Sequence, residues 1–141
     1  MINKYLLDTH ILIWLLDEDD DLNKNVRDDT DYFQYPYYVS VESLREIVIL
    51  QSLKKISLTS TIDEITADLQ KRQISILPIE LAHIKTLEKL PTLAINEKKH
   101  EDPFDRLLIA QSIANKYTII SSDSKFPFYK NCGLKLLVNE K

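Results

Sequence analysis

Short runs of aliphatic and β-branched residues alternate with helical patterns along the chain, and this alternation restricts the possible fold more than any other feature. In chains of this kind a helix follows each strand, packs on the sheet and leads into the next parallel strand. The sequence therefore predicts an α/β fold with a mainly parallel sheet. The expected strands are 5–8, 37–39, 74–77, 118–121 and 134–138, the last at an edge, and the expected helices are 11–16, 23–31, one from 41, 61–72, 80–89 and 103–115. Residues 91–100 are expected to form a loop or a frayed end.

Length and hydropathy set the class of protein. With 141 residues, 44% of them hydrophobic, the chain suits one domain spanning 1–141. The longest unbroken apolar run, 11–16, is far shorter than the ~20 residues that cross a bilayer. The chain does not start with basic residues followed by a long apolar stretch. We therefore expect a soluble, cytoplasmic protein with no membrane partner.

Scarce residue types exclude several kinds of site. Gly133 is the only glycine, whereas a Walker loop, a dinucleotide fingerprint and a nucleophile elbow all need glycines at fixed spacings. Cys132 is the only cysteine, which excludes an internal disulfide, a zinc finger and a redox dithiol. The 22 acidic residues give a net charge of -4, so any contact with nucleic acid must be local and assisted by cations.

Two aspartates follow strands that are expected to lie in the sheet. Asp8 ends the first strand, and Asp123 comes two residues after the strand that ends at Ser121. Ligands of open α/β sheets bind beyond the carboxyl ends of the strands, so both side chains are expected in one crevice if these strands are neighbours. The alternative for Asp8 is that it caps the helix that follows.

Helix starts carry the other candidate carboxylates. Asp102 lies directly before Pro103 and is expected to cap the helix. For Asp105 two roles stay open: its charge could interact favourably with the helix dipole, or its side chain could face the crevice. Glu42 and Glu46 lie four residues apart and therefore on one helix face, and periodicity alone does not choose between them.

Carboxylates from four elements would form an all-oxygen site. Such a site suits one or two Mg²⁺ or Mn²⁺ ions rather than zinc, and like charges gathered without a cation would raise one another's pKa values. The chemistry expected of such a site is hydrolysis of a phosphodiester by metal-activated water.

Four segments of the chain, in order and at family spacing, resemble the PIN-domain ribonucleases, and among these the VapC-like toxins of type II toxin–antitoxin systems. The segments are LLDTHIL at 6–12, VSVESLREI at 39–47, HEDPFDRLLIAQ at 100–111 and ISSD at 120–123. The third segment is the most specific. The resemblance implies a three-layer α/β/α fold with a central parallel sheet, Mg²⁺ or Mn²⁺ dependence, endonucleolytic cleavage of RNA, a homodimer and a cognate antitoxin that blocks the site.

The resemblance also implies which residues act. It assigns the metal ligands and catalytic acids to four positions, and thereby selects Glu46 over Glu42; these positions are Asp8, Glu46, Asp105 and Asp123. Thr9 and Ser121 would orient water or a carboxylate through their hydroxyl groups.

Two further residues of the third segment have competing interpretations. Arg106 is expected either to contact phosphate or an antitoxin carboxylate, or to form a salt bridge within its helix. His100 is expected either to act near the scissile bond or to have no catalytic role.

The chain departs from many relatives at Arg45, where they have tryptophan, and at Glu101, where they often have a basic residue. Both changes bear on which RNA or antitoxin fits.

Other functions fit the sequence less well. A catalytically silent PIN-like binding module would not need all four carboxylates, and a solitary nuclease would lack an antitoxin. Dehalogenase-like phosphatases need an aspartate two residues after the first, where this chain has His10. Receiver domains need an acidic pair beside the first strand, and only Asp8 is there.

Overall fold

A central parallel sheet organises the molecule. A computed structural model of the chain describes residues 3–140. The strands within this range are β1 (Tyr5–Leu7), β2 (Tyr37–Ser40), β3 (Ile74–Leu77), β4 (Ala94–Ile95), β5 (Lys98–Lys99), β6 (Thr118–Ser121) and β7 (Lys135–Val138). Five of them form a parallel sheet in the order β3-β2-β1-β6-β7, whereas β4 and β5 form a separate antiparallel hairpin. The prediction of a mainly parallel sheet with the last strand at an edge is confirmed.

Helices cover both faces of this sheet. They are α1 (Thr9–Leu16), α2 (Lys24–Asp31), α3 (Val41–Ser52), α4 (Ile62–Lys71), α5 (Leu81–Lys89), α6 (Pro103–Asn115) and a 3₁₀ helix, Phe126–Cys132. Alternate residues of each central strand face opposite cores, because side chains of a strand alternate between the two faces. Leu7 and Ile120 join the core under α1 to α4, and Leu6 and Ile119 join the core under α6 and the 3₁₀ helix. The three-layer α/β/α arrangement is therefore confirmed.

Local signals in the sequence explain where the main helices start. The Ser40 hydroxyl accepts a hydrogen bond from the Glu42 N–H at 3.0 Å and caps α3. Asp102 caps α6 and is followed by proline at the first helical position, as predicted. Each cap satisfies a backbone N–H group that has no partner inside the helix. These two caps fix where the acidic first turns of α3 and α6 begin.

The expectation for residues 91–100 is wrong. This segment contains the β4–β5 hairpin, in which Ala94 pairs with Lys99 and Ile95 pairs with Lys98. The buried Ile95 side chain anchors the hairpin to the core beneath α6.

Among residues 3–140, no helix has both the length and the apolar composition that crossing a membrane requires.

Candidate active site

The central strands bring two separated aspartates to one edge of the sheet. Leu7 at the end of β1 pairs with Ile120 of the neighbouring parallel strand β6. Asp8 follows β1 directly, and its N–H donates to the Ile120 carbonyl at 3.0 Å. Asp123 lies two residues beyond the end of β6. Because the strands are parallel neighbours, both aspartates lie at the carboxyl edge of the sheet.

Asp8 is both a helix cap and a buried carboxylate of this edge. Its residue is only 5% exposed. One carboxylate oxygen accepts from the Thr9 N–H at 2.8 Å, which caps α1, and the other accepts from the Ser121 hydroxyl at 2.7 Å. Burial raises the pKa of Asp8 to about 6, although these two hydrogen bonds act in the opposite direction. The cap and the site are therefore not alternatives at this position.

Ser121 links the two aspartates. Its hydroxyl donates to Asp8 and accepts from the Asp123 N–H at 3.0 Å. Asp123 in turn accepts from the Lys125 N–H at 2.8 Å, which orders the loop that follows β6. The carboxylate of Asp123 contributes to the raised pKa of Asp8, so the two charges lie near each other.

Helix α3 contributes Glu46 rather than Glu42. The Glu46 side chain is half-buried, and burial raises its pKa, whereas a hydrogen bond from the Thr9 hydroxyl lowers it. Thr9 is also hydrogen-bonded to Ser43 of α3 at 3.0 Å, so α1 and α3 meet beside Asp8. Glu42 instead forms an ion pair with Arg45 at 2.6 Å. Glu46 therefore lies beside Thr9 and Asp8, whereas the carboxylate of Glu42 is paired with Arg45.

Asp105 lies in the first turn of α6, where the negative charges of several other carboxylates act on it. Burial is the main cause that raises its pKa to about 8, and the charges of neighbouring carboxylates add to that effect. Those neighbours, in order of their effect, are Asp102, Asp8, Asp123 and Glu46. The four acids that the family resemblance selected therefore act electrostatically on one site, although they come from four parts of the chain.

His100 connects Asp105 to the core. Its Nε2 lies 3.2 Å from a carboxylate oxygen of Asp105, and its Nδ1 lies 2.7 Å from the hydroxyl of Tyr129. The rings of His100 and Tyr129 are both buried, and burial lowers the pKa of His100. The imidazole therefore links Asp105 to Tyr129 of the 3₁₀ helix.

Among residues 3–140, Arg106 forms no salt bridge within α6, which was one of its two interpretations. Its guanidinium donates to the carbonyls of Leu90 and Pro91, each at 3.0 Å. It contributes to structure by fixing the chain between α5 and the β4–β5 hairpin. The other interpretation, contact with phosphate or an antitoxin carboxylate, stays a prediction.

An open cleft of about 270 Å³ borders the carboxylates. It is lined by Asp8, His10, Trp14, Ser122 and Asp123. The charge of His10 lowers the pKa values of both Asp8 and Glu46, so this exposed ring lies close to two of the four acids. Neither His10 nor Trp14 is among the site residues predicted from the sequence. Their i, i+4 spacing at the start of α1 was the available signal, because it places both rings on one helix face.

The donor set fits a hard divalent cation. Among residues 3–140, no three His, Cys, Asp or Glu side chains lie close enough together to hold a metal ion directly. Mg²⁺ keeps several water ligands and commonly uses one or two carboxylates from the protein, so it does not require three such contacts. Burial is the main cause of the raised pKa values of Asp8 and Asp105, and nearby carboxylates raise both further, so positive charge at this place would favour the ionised acids.

Comparison with known proteins agrees with the fold. The family model of the PIN domain matches residues 5–131. No curated protein sequence matches the chain.

Three crystal structures have a similar fold. A chain of VapBC2 from Rickettsia felis, bound to a DNA fragment from its promoter, has a TM-score of 0.69 and 17% identity over 97% of this chain and 99% of that chain. A chain of DNA-bound VapBC from Salmonella typhimurium has a TM-score of 0.66 and 11% identity, over 97% and 98% of the two chains. A chain of VapBC-5 from Mycobacterium tuberculosis, a member of the VapBC family of toxin–antitoxin systems, has a TM-score of 0.58 and 14% identity, over 98% of each chain.

Proposed function

Because the chain belongs to the PIN-domain family, we propose that it is a divalent-metal-dependent endoribonuclease and the toxin of a type II toxin–antitoxin pair. The observation that carries this proposal is the group of four carboxylates at the carboxyl edge of the sheet. Asp105 experiences the charges of the other three, which is the electrostatic signature of a cation-binding site. The fold shared with chains of VapBC complexes supports the toxin role.

The residues that would hold one or two Mg²⁺ or Mn²⁺ ions, directly or through water, are Asp8, Glu46, Asp105 and Asp123. When bound, such an ion supplies positive charge for the phosphate oxygens and increases the acidity of water. Every other contribution comes from the chain itself. The Ser121 hydroxyl fixes the Asp8 carboxylate, the Thr9 hydroxyl orients Glu46, and His100 supports Asp105. These contacts hold the acids in place before RNA arrives.

The test of this function is the Asp8→Asn variant. Asparagine caps helices as well as aspartate does, so its amide oxygen still accepts from the Thr9 N–H. Its amide NH₂ group then faces the Ser121 hydroxyl and can donate to that oxygen, so the fold is expected to persist. RNA cleavage is expected to fall at least about 100-fold, because the site loses a charged ligand. Cleavage of a labelled RNA in Mg²⁺ and thermal unfolding would be measured together.

The matched control for that test is Asp20→Asn. Asp20 lies on the exposed acidic loop between α1 and α2, so its loss removes one charge without touching the site. The control is expected to cleave like the wild type. Wild-type cleavage by purified Asp8→Asn would show that the assignment is wrong.

A second candidate is a binding module without turnover. The observation that favours it is that no three His, Cys, Asp or Glu side chains within residues 3–140 are placed to hold a metal ion together. Titration of the chain with Mn²⁺ by calorimetry separates the two candidates. A nuclease is expected to bind Mn²⁺ with an affinity that Asp8→Asn reduces, whereas a silent module is expected to show no tight binding.

Several features of the proposal rest on the resemblance and the composition. We propose an RNA substrate, a cognate antitoxin that covers the site, a homodimer, a cytoplasmic location and a single domain over residues 1–141. A small upstream reading frame that encodes a DNA-binding protein would support the toxin role over that of a solitary nuclease.

A further inference from the structure

A second groove, of about 520 Å³, adjoins the carboxylates on the side of the β4–β5 hairpin. Its walls come from the hairpin, from the start of α6 and from the segment that leads into the 3₁₀ helix. Its lining includes three lysines and an aromatic ring, namely Lys98, Lys99, Lys125 and Phe128. The whole chain has a net charge of -4, yet three ammonium groups line this groove. Its positive charge is therefore local, as the sequence required of any contact with nucleic acid.

The acidic groups of the groove are partly neutralised. Asp102 accepts from the N–H groups of Phe104 and Asp105 at 2.9 and 3.1 Å, so the positive end of α6 offsets its charge. The remaining acid, Glu101, is outnumbered by the three lysines.

Phe128 is an exposed aromatic ring in this basic groove. Its residue is 52% exposed, although it belongs to a 3₁₀ helix whose other rings, Phe126 and Tyr129, are fully buried. An exposed ring beside lysines is the combination with which proteins bind single strands, since a base stacks on the ring while ammonium groups meet the phosphates. A duplex keeps its bases stacked on one another and offers no free base to such a ring.

The groove adjoins the candidate active site. Ser122 and Asp123 line the carboxylate cleft, and the next two residues, Ser124 and Lys125, line the groove. His100 also lines the groove, and its Nε2 lies 3.2 Å from a carboxylate oxygen of Asp105. A strand lying in the groove would therefore pass close to Asp105 and Asp123.

We propose that this groove holds the single-stranded part of the RNA substrate, with Lys98, Lys99 and Lys125 on its phosphates and Phe128 stacked on an unpaired base. The proposal rests on the proposed function and adds the class of substrate: RNA that presents an unstacked base next to the scissile bond. Lysines select the polyanion, and the ring selects an accessible base.

The charge is tested by two pairs of adjacent lysines. Binding of a fluorescein-labelled oligouridine is measured by anisotropy in EDTA, so that turnover does not interfere. Lys98→Gln with Lys99→Gln is expected to weaken binding and to reduce the slope of log affinity against log salt by about 1.4, at about 0.7 per lost contact on a single strand. The control is Lys54→Gln with Lys55→Gln, an exposed pair in the loop after α3. This control pair is expected to bind like the wild type.

The ring is tested by two substitutions at one position. Phe128→Leu keeps an apolar side chain and removes the stacking surface, so oligouridine binding is expected to weaken about 5-fold to 150-fold. Phe128→Tyr keeps the ring and is expected to bind like the wild type. Thermal unfolding should be unchanged in both variants, because the side chain is exposed.

Each other outcome overturns the proposal. Equal weakening by the two lysine pairs would show that only overall charge matters, and wild-type binding by Phe128→Leu would exclude stacking. Equally tight binding of poly-glutamate, dependent on the same lysines, would assign the groove to an acidic polypeptide. If the groove variants bind and cleave like a wild type that is active, the groove assignment fails and the nuclease function stands. A wild type that neither binds nor cleaves RNA refutes both.

Discussion

Ser121 has no charge, yet its hydroxyl joins two of the four candidate acids. It donates to the Asp8 carboxylate and accepts from the backbone N–H of Asp123. Outer residues of this kind fix the direction of a ligand's oxygen atoms and tune their affinity for a metal. The hydrogen bond also lowers the pKa of Asp8 against the stronger effect of burial.

We therefore predict that Ser121→Ala weakens Mn²⁺ binding about 10-fold to 100-fold. Without the hydroxyl, Asp8 loses a donor, and its carboxyl group holds a proton to a higher pH. Calorimetric titration at pH 7 measures the affinity. Ser124→Ala, an exposed neighbour on the same loop, is the matched control. Wild-type affinity in Ser121→Ala would contradict this role for the hydroxyl.

Tyr129 gives a second prediction at the level of one side chain. Its hydroxyl lies 2.7 Å from Nδ1 of the buried His100. Tyr129→Phe leaves that nitrogen without its partner and is expected to reduce the free energy of unfolding by about 1–3 kcal/mol. Urea denaturation measures the change. Tyr32→Phe, which removes a hydroxyl from an exposed ring, is expected to change stability by less than about 0.5 kcal/mol.

The residues of the site differ in how far the sequence predicts them. Asp8 and Asp123 follow from their places after two strands, because parallel neighbours end at a common edge. Glu46 does not follow from periodicity, since Glu42 occupies the same helix face, and only the family resemblance selected it. The contact between His100 and Tyr129 spans 29 residues and depends on a 3₁₀ helix that the pattern did not reveal. Contacts of that kind depend on tertiary packing rather than on local spacing.

Helix α6 depends on a cap that also carries charge. Asp102 accepts two backbone hydrogen bonds at its start and raises the pKa values of Asp105 and Glu46. We predict that Asp102→Ala costs about 1 kcal/mol of stability, because the cap is lost, whereas Asp102→Asn costs less than about 0.5 kcal/mol. Urea denaturation of the two variants separates the cap from the charge. Equal losses in both would contradict the cap as the source of stability.

The β4–β5 hairpin shows why one element was missed. Its strands have two residues each, too few to display the alternation that identifies a strand. Its turn residues, Asn96 and Glu97, have φ values of 52° and 68°. Two-residue hairpin turns with two positive φ values are usually marked by Asn-Gly, and glutamate at the second position hides the signal. The longer elements, each with a clear period or cap, were predicted within a few residues.

Across the whole molecule, the acidic edge opposes folding when no cation is present. The pKa values of Asp8 and Asp105 rise from 3.8 to about 6 and about 8 on folding. A carboxyl group whose pKa is raised by folding favours the folded state while it is protonated, so its contribution is complete below about pH 4 and is lost as the pH rises through 6 and then 8.

We predict that, in EDTA, the stabilising effect of Asp105→Asn grows between pH 5 and pH 8 and exceeds about 1 kcal/mol at pH 8. The variant removes the group whose ionisation the fold resists. Urea denaturation at both pH values, with and without Mn²⁺, measures this effect. Mn²⁺ is expected to stabilise the wild type more than the variant. A stabilising effect that does not depend on pH would contradict the electrostatic origin.

The hydrogen bond between Asp8 and Ser121 joins residues 113 positions apart. Synthesis proceeds at roughly 5–20 residues per second, so several seconds pass between the synthesis of Asp8 and that of Ser121, which orients it. Asp123 is made directly afterwards. On the proposed function, a nascent chain is harmless until this contact can form. A ribosome thus adds more than 113 residues after Asp8 before the product has the means to cut the message that encodes it.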